Sequence, residues 1–310
     1  MTRSARQTIS YLTQRFRDVG LEPNRRHGQN FLIDLNLIEL LARTAGPSQD
    51  DVILEIGTGM GSLTSLLAES AAEVVTVEID EHLYQLAQEE LEAYDNITML
   101  HQDALKNKNH FHPNVLNSLK AALERGENRQ LKLAANLPYN VATPILSNLL
   151  ICDLVPVSMT ATIQLELAER IVAKPGNKDY GALSVWMQSL CDGEVVRVLP
   201  PSVFWPRPKV DSAILYLVQD MDRRKSIPDL KFWHDYTRVI FFHRRKFLRA
   251  VAVSGFRDKL SKPQVDEVLQ SQELGTEARA EQLTVEQHQR LCEAFRQKLL
   301  ELELPVEFLL

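Results

Sequence analysis

The chain has 310 residues, 45% hydrophobic and 25% charged, and its 41 acidic against 35 Lys and Arg side chains leave a net charge of −6. That length suits two domains with a sizeable core. No stretch approaches the ~18 uninterrupted apolar residues of a membrane span; the most apolar run, Ile145 to Val157, is broken by Ser147, Asn148 and Asp153. The opening Met-Thr-Arg-Ser-Ala-Arg-Gln is followed by no apolar segment and reads as cytosolic. Cys152, Cys191 and Cys292 lie far apart, without a Cys-x-x-Cys pair or a His at ligand spacing, so reduced thiols are expected and no metal.

Residues 1–24 read as a polar extension with one short helix. Helical apolar spacing over 34–45 follows, with Asp34 as N-cap. An alternation begins at the apolar run Val52–Ile56, which ends in glycines. Helix is expected over Ser62–Ser70, strand over Val74–Ile79, helix over Glu81–Ala93 and strand over Ile97–Leu100. Residues 104–130 are polar and rich in Asn, His and Lys, and read as an extended surface insertion. Strands are expected again at Leu131–Ala135, Thr160–Gln164 and Ala213–Val218, with a helix over Pro144–Leu150. Strands alternating with helices imply a mostly parallel, doubly wound α/β sheet of Rossmann-like form. Residues 221–228 read as a charged linker containing Pro228. Beyond it, helices are expected over 229–242, 244–252, 262–270 and 283–300. The division is therefore an extension 1–24, an α/β domain 25–220 and a small helical domain 221–310.

Three acids and three glycines outline a ligand pocket in the first domain. The loop Ile56-Gly57-Thr58-Gly59-Met60-Gly61 joins a strand to a helix, and its Gly-x-Gly-x-Gly spacing differs from the Gly-x-Gly-x-x-Gly of dinucleotide folds. Glu55 before it would repel a pyrophosphate and suits a ligand carrying an amino group and a sulfonium. Glu78, at the end of the next strand, can accept two ribose hydroxyls, and Asp103, after the third, the amino group of an adenine. Each acid alone could be a helix N-cap.

Directly after Leu131–Ala135 stands Asn136-Leu137-Pro138-Tyr139. An aromatic amine is a poor nucleophile because its lone pair is delocalised into the ring. Two fixed acceptors, the Asn136 side-chain oxygen and the Leu137 carbonyl, can hold its hydrogens and turn the lone pair toward an electrophile. Pro138 stiffens the turn, and Tyr139 offers a ring for stacking. Such transfer needs positioning in line rather than a general base of unusual pKa.

With these segments in place, the chain from about Arg26 to Gln282 resembles the small-subunit ribosomal RNA adenine N6,N6-dimethyltransferase family, the KsgA/RsmA type. The likeness rests on His27-Gly28-Gln29-Asn30-Phe31-Leu32, the glycine loop, Val77-Glu78-Ile79-Asp80, Asp103-Ala104-Leu105 and Asn136 through Pro144. It continues in Tyr180 through Val185, Phe204-Trp205-Pro206-Arg207-Pro208-Lys209-Val210-Asp211-Ser212 and Arg244-Arg245-Lys246. The resemblance implies a class I methyltransferase using S-adenosylmethionine, with Asn30, Leu32, Gly57, Gly59, Glu78, Asp103 and Asn136 on the cofactor. It further implies that Asn136, Leu137, Pro138 and Tyr139 hold the target adenine, with Phe204 on the face opposite Tyr139. The implied reaction dimethylates two adjacent adenines near the 3′ end of small-subunit rRNA, by a cytoplasmic monomer acting on a 30S precursor. Departures are Thr58 where the family commonly has Pro, the longer 104–130 segment, and Leu248-Arg249-Ala250 where an Asn-like residue is usual.

Charge distribution bears on the RNA. Residues 1–28 carry six Arg against two acids, and 223–249 gather Arg223, Arg224, Lys225, Arg244, Arg245, Lys246 and Arg249 among others. These seven are the expected RNA contacts; solvated helix faces are an equal reading of charge alone. Two alternatives stand beside the main one: a large-subunit rRNA adenine methyltransferase of the antibiotic-resistance type, and a non-catalytic rRNA-binding assembly factor.

Overall fold

A computed structural model describes residues 9–18 and 29–308. The motif residues His27 and Gly28 lie outside them, as do Arg3, Arg6, Arg25 and Arg26. By its internal packing the chain forms two units, residues 1–168 with 194–219, and residues 169–193 with 220–310.

In the first unit, α1 (Ile9–Asp18) precedes β1 (Phe31–Leu32) and α2 (Leu35–Ala45). Asp34 caps α2 as expected, accepting from the amides of Asn36 and Leu37. There follow β2 (Asp51–Ile56), α3 (Ser62–Ala68), β3 (Glu73–Glu78), α4 (Glu81–Leu91) and β4 (Ile97–His101). The hairpin of β5 (Leu105–Asn107) and β6 (His110–Phe111) leads into α5 (Pro113–Glu124). Then come β7 (Gln130–Asn136), α6 (Ala142–Ile151), β8 (Ser158–Gln164) and α7 (Leu165–Val172), which crosses into the second unit.

The second unit continues with α8 (Ala182–Gln188), and β9 (Cys191–Leu199) returns the chain to the first. The first unit closes with β10 (Phe204–Trp205) and β11 (Ser212–Gln219). The seven-stranded sheet has the order β4-β3-β2-β7-β8-β11-β9. Strands β4 to β8 run parallel, and β11 is antiparallel to β8. Both central strands β2 and β3 are buried along their whole length, which is why they read as continuous apolar runs.

Two expectations are corrected here. Residues 104–130 are no surface insertion: they hold α5, whose Val115, Leu119 and Ala122 are fully buried. A parallel step from β4 to β7 needs a crossover helix, and the polar outer face of α5 masks its narrow apolar stripe at i, i+4 and i+7. Residues 221–228 are not simply a linker either, because Asp220 caps a short helix α9 (Met221–Ser226) through the amides of Asp222 and Arg223.

The second unit takes Glu169–Gly193 out of the expected α/β domain. It adds α9, α10 (Leu230–Ile240), α11 (Leu248–Gly255), α12 (Lys262–Ser271) and α13 (Val285–Glu301). The reason is aromatic packing. Trp186 of α8 meets His234 of α10 edge-on at 4.6 Å, and the Trp233 indole donates to Ser189 Oγ at 2.9 Å. Tyr180 donates to the Leu283 carbonyl at 3.0 Å. Gly255 lets α11 approach α10: a Cβ there would lie 2.3 Å from Val239. Burial pulls the imidazole of His288 down to about 4, so it packs neutral beside the Ala280 carbonyl.

Candidate active site

Strands β2, β3, β4 and β7 all end on one edge of the sheet, and the order reverses between β2 and β7. That reversal opens a crevice at the strand C-termini. One cavity there is lined by Asn30, Gly57, Gly59, Glu78, Asp103, Asn136, Leu137, Pro138 and Tyr139. An adjoining hollow is lined by Leu32, Glu55, Gly57, Thr58, Gly59 and Asn136 among others. Of the residues expected in the site, only Phe204 lies elsewhere. It is 3% exposed, pairs through β10 with Leu32 of β1, and packs in the core with Ile38 and Leu41.

The glycine loop is shaped by positive backbone angles. Gly57, Gly59 and Gly61 have φ of 87°, 57° and 81°, which L side chains rarely adopt. At Gly59 a Cβ would also press on the Phe31 ring at 3.3 Å. The Gly59 amide donates to Glu78 Oε2 at 2.9 Å, and the Asp80 amide to Oε1 at the same distance. Loop and acid are therefore one rigid piece. Burial raises the Glu78 carboxyl above its ordinary value, against the lowering pull of those amides. Asp103 is exposed at the mouth, with Oδ1 accepting from the Leu105 amide at 2.8 Å.

Under the loop lies a network that no spacing announces. Glu55 is 1% exposed, and its Oε2 accepts the hydroxyls of Thr64 (2.6 Å) and Thr76 (2.8 Å). Thr58 hydrogen-bonds Thr76 at 2.7 Å, a role for which the Pro common in the family has no hydroxyl. Burial pushes the Glu55 carboxyl up to about 8, more than the two hydroxyls can offset.

At the end of β7 the Asn136 amide nitrogen donates to the Asn30 carbonyl at 2.9 Å. This orients the side chain of Asn136, which lines the cavity. The Leu137 amide is held by the Thr162 carbonyl at 3.1 Å, and Pro138 lies against Gly57. Tyr139 is fastened at its far end, its hydroxyl 2.5 Å from Ser212 Oγ, while burial raises its pKa.

Sequence reasoning missed two lining residues with readable chemistry. Gln102 lines the cavity, and its Nε2 is a buried donor with no hydrogen-bond partner among the described residues. Ile79 is 45% exposed at the end of a buried strand, an apolar shelf beside Glu78. Helix α1 also reaches this region: Phe16 packs edge-on against Phe31 (5.6 Å) and Trp205 (5.2 Å), and Arg15 pairs with Glu89 of α4 at 2.8 Å.

Residues 20–299 match the model of the family described as ribosomal RNA adenine dimethylase. The chain belongs to that family. Two relatives carry the name "Ribosomal RNA small subunit methyltransferase A". That of Caldanaerobacter subterraneus subsp. tengcongensis is 36% identical over 88% of this chain and 97% of its own length. That of Clostridium acetobutylicum is 39% identical over 87% and 92%. Among solved structures, a dimethyladenosine transferase from Plasmodium falciparum superposes with a TM-score of 0.71 at 23% identity, covering 86% of this chain and 98% of that one. The 23S rRNA methyltransferase ErmE does so at 0.58 and 25% identity, over 85% and 98%. With family and fold in agreement, the chain is a methyltransferase of the class I type.

The expected RNA contacts of the second unit divide by their partners. Arg223 is paired with Asp192 (2.8 Å) and Asp220 (3.0 Å), Arg249 holds Asp266 at 2.5 and 2.8 Å, and Arg244 donates to the Lys178 carbonyl at 2.5 Å. Lys225, Arg245 and Lys246 are exposed and make no ion pair among the described residues. Arg224 is half-buried. No helix is long and apolar enough to cross a membrane, and no cluster of three or more metal-ligating side chains occurs among the described residues.

Proposed function

We propose that the chain transfers methyl groups from S-adenosylmethionine to N6 of two adjacent adenines near the 3′ end of small-subunit rRNA, acting as a cytoplasmic monomer on a 30S precursor. The observation that supports the chemistry is the pinned Asn136: its Nδ2 donates to the Asn30 carbonyl, which orients the side chain at the cavity wall beside Leu137. The lining suits the cofactor. Glu78 stands ready for ribose hydroxyls, Asp103 for an adenine amino group, Gln102 Nε2 for a further acceptor, and Glu55, on giving up its proton, for a cation. When bound, S-adenosylmethionine supplies an activated methyl group and a neutral leaving thioether.

The residues of the chain do the rest by position. Asn136 Oδ1 and the Leu137 carbonyl accept the two N6 hydrogens and turn the lone pair toward the methyl donor. Tyr139, held by Ser212, offers its ring to the adenine. The extra proton leaves once the methylated nitrogen becomes cationic and acidic, so no strong base is required. The small-subunit substrate is favoured by relatives named for it at 36% and 39% identity, against 25% for the 23S rRNA enzyme.

The test is single-turnover methylation of under-methylated small subunits with wild type and Asn136→Ala. The expected loss is ~100-fold or more, a barrier increase of ~3 kcal/mol, with RNA affinity changed far less. Near-normal transfer by the variant would refute the role of Asn136. Modification of large-subunit RNA instead, or of neither, would favour one of the two alternatives.

A further inference from the structure

The second unit holds a cavity of about 650 Å³, within the ~300–1,000 Å³ usual for ligand sites. It lies along α10 and α11 and the turn between them, residues 241–247, where the sequence reading had expected the start of a helix. Phe242 on this turn is 79% exposed, more than any other large hydrophobic among the described residues. Water is a poor environment for so much aromatic surface. The lining is mixed: Val239, Phe241, Val251 and Phe308 are apolar, and the charged side chains of Arg238 and Lys259 stand among them. Arg238 and His243 line the same cavity, and Arg245 and Lys246 follow on the same exposed turn.

The His243 ring meets Phe242 in a T-shaped contact at 4.8 Å, and most of the Phe242 surface remains exposed. Along the turn, Phe247 is also 45% exposed and carries the Arg279 guanidinium 5.4 Å above its ring. The floor is firm. Phe308 stacks on Phe232 at 4.9 Å, and its segment is tied down by the Lys259 ammonium, which donates to the carbonyls of Pro305 (2.9 Å) and Glu307. Asp258 is the one acid in the lining.

A flat ring set among cations matches a nucleobase joined to phosphates. We propose that this groove takes an unpaired nucleotide of the RNA substrate, its base stacked on Phe242 and its flanking phosphates facing Arg238, Arg245 and Lys246. The inference rests on the rRNA reading above and assigns the second unit a base contact in addition to phosphate contacts.

Stacking and charge neutralisation separate by salt. Full-length wild type, Phe242→Ala, Phe242→Trp and the double variant Arg245→Ala/Lys246→Ala are titrated against a transcript of the small-subunit rRNA 3′ region at several potassium chloride concentrations. Phe242→Ala is expected to weaken binding about tenfold with an unchanged slope of log affinity against log salt, and Phe242→Trp to restore it. The double variant is expected to flatten that slope by about 1 to 2 units. Phe242 is so exposed that none of this should move the thermal midpoint or cofactor affinity. Wild-type affinity in Phe242→Ala overturns the proposal, as does a defect seen only with protein-containing particles, which marks a protein contact. If wild type itself neither binds nor methylates small-subunit RNA, the rRNA reading fails first, and that outcome is distinct from loss in Phe242→Ala alone.

Discussion

Replacing Glu55 by Gln should change how cofactor affinity depends on pH. The carboxyl is 1% exposed, and burial moves it from an ordinary 4.5 to about 8. In the free chain near neutrality it is therefore mostly protonated. A ligand bearing an ammonium and a sulfonium beside it favours the anion, so binding expels a proton. With a value of about 8, about one chain in eleven carries the anion at about pH 7 and about ten in eleven at about pH 9. Affinity should then rise roughly tenfold over that interval. Gln has the shape of the protonated acid and cannot ionise. Calorimetric titration with S-adenosylmethionine across the interval, in buffers of different ionisation heat, measures both affinity and protons released. The ammonium of the ligand titrates in the same range for both proteins, so the difference between them isolates Glu55. Parallel profiles with equal proton release would refute the reasoning.

The sign for the fold itself is opposite. A carboxyl raised in the folded chain contributes stability that is present below about 4.5 and is lost as the pH rises toward about 8, levelling off beyond. Thermal unfolding of the unliganded protein should show this loss in wild type and less of it in Glu55→Gln.

Other outcomes follow from the same geometry. Glu78→Ala removes hydrogen bonds to a charged group worth ~1.5–3 kcal/mol each at most, so cofactor binding should weaken at least tenfold by calorimetry; unchanged affinity would move the ribose elsewhere. Phe204→Ala truncates a fully packed ring and should cost ~3–5 kcal/mol of stability, read as a lower unfolding midpoint, with Phe204→Leu retaining most of it. An unchanged midpoint in Phe204→Ala, with a raised KM for RNA, would instead return Phe204 to the adenine.

The parts of the fold legible in the sequence were those where one pattern dominates. Val52–Ile56 and Val74–Glu78 are buried on both faces, so a plain apolar run identified them. Asp34 announced α2 through its cap. The crossover helix α5 was not legible, because its buried Val115, Leu119 and Ala122 form a narrow stripe beside Asn114, Asn117, Ser118, Lys120 and Glu124. The end of α7 and all of α8 were assigned to the wrong unit, since the packing of Trp186 and Ser189 with α10 is a long-range fact. In the site, the glycines and acids stand at strand ends and can be counted along the chain. The hydroxyls of Thr58, Thr64 and Thr76 around Glu55 cannot, because they converge only when β2, β3 and α3 pack. Phe204, expected at the adenine, packs with the core residues through the pairing of β10 with β1, which no motif spacing announces.

The same pairing of strands explains why the glycine loop and the Asn136 turn would act as one device. Strands β2 and β7 are parallel neighbours with Leu54 opposite Leu133. Gly57 and Asn136 each stand three residues beyond that register point, at the same level of the sheet. A side chain on Gly57 would touch Pro138 at 3.6 Å and the Asn136 carbonyl at 3.8 Å. The loop that would cradle the methyl donor and the turn that would hold the nitrogen thus follow directly on two strands joined by a backbone ladder that ends at Leu54 and Leu133. In-line transfer tolerates little misplacement, and this arrangement makes its precision a property of the sheet. A substitution that enlarges Gly57 is expected to damage methyl transfer beyond its effect on cofactor affinity, because it pushes on both halves at once. Single-turnover rates at saturating cofactor would expose that excess, and a Gly57→Ala variant restored to full rate by saturation would show the two halves to be independent.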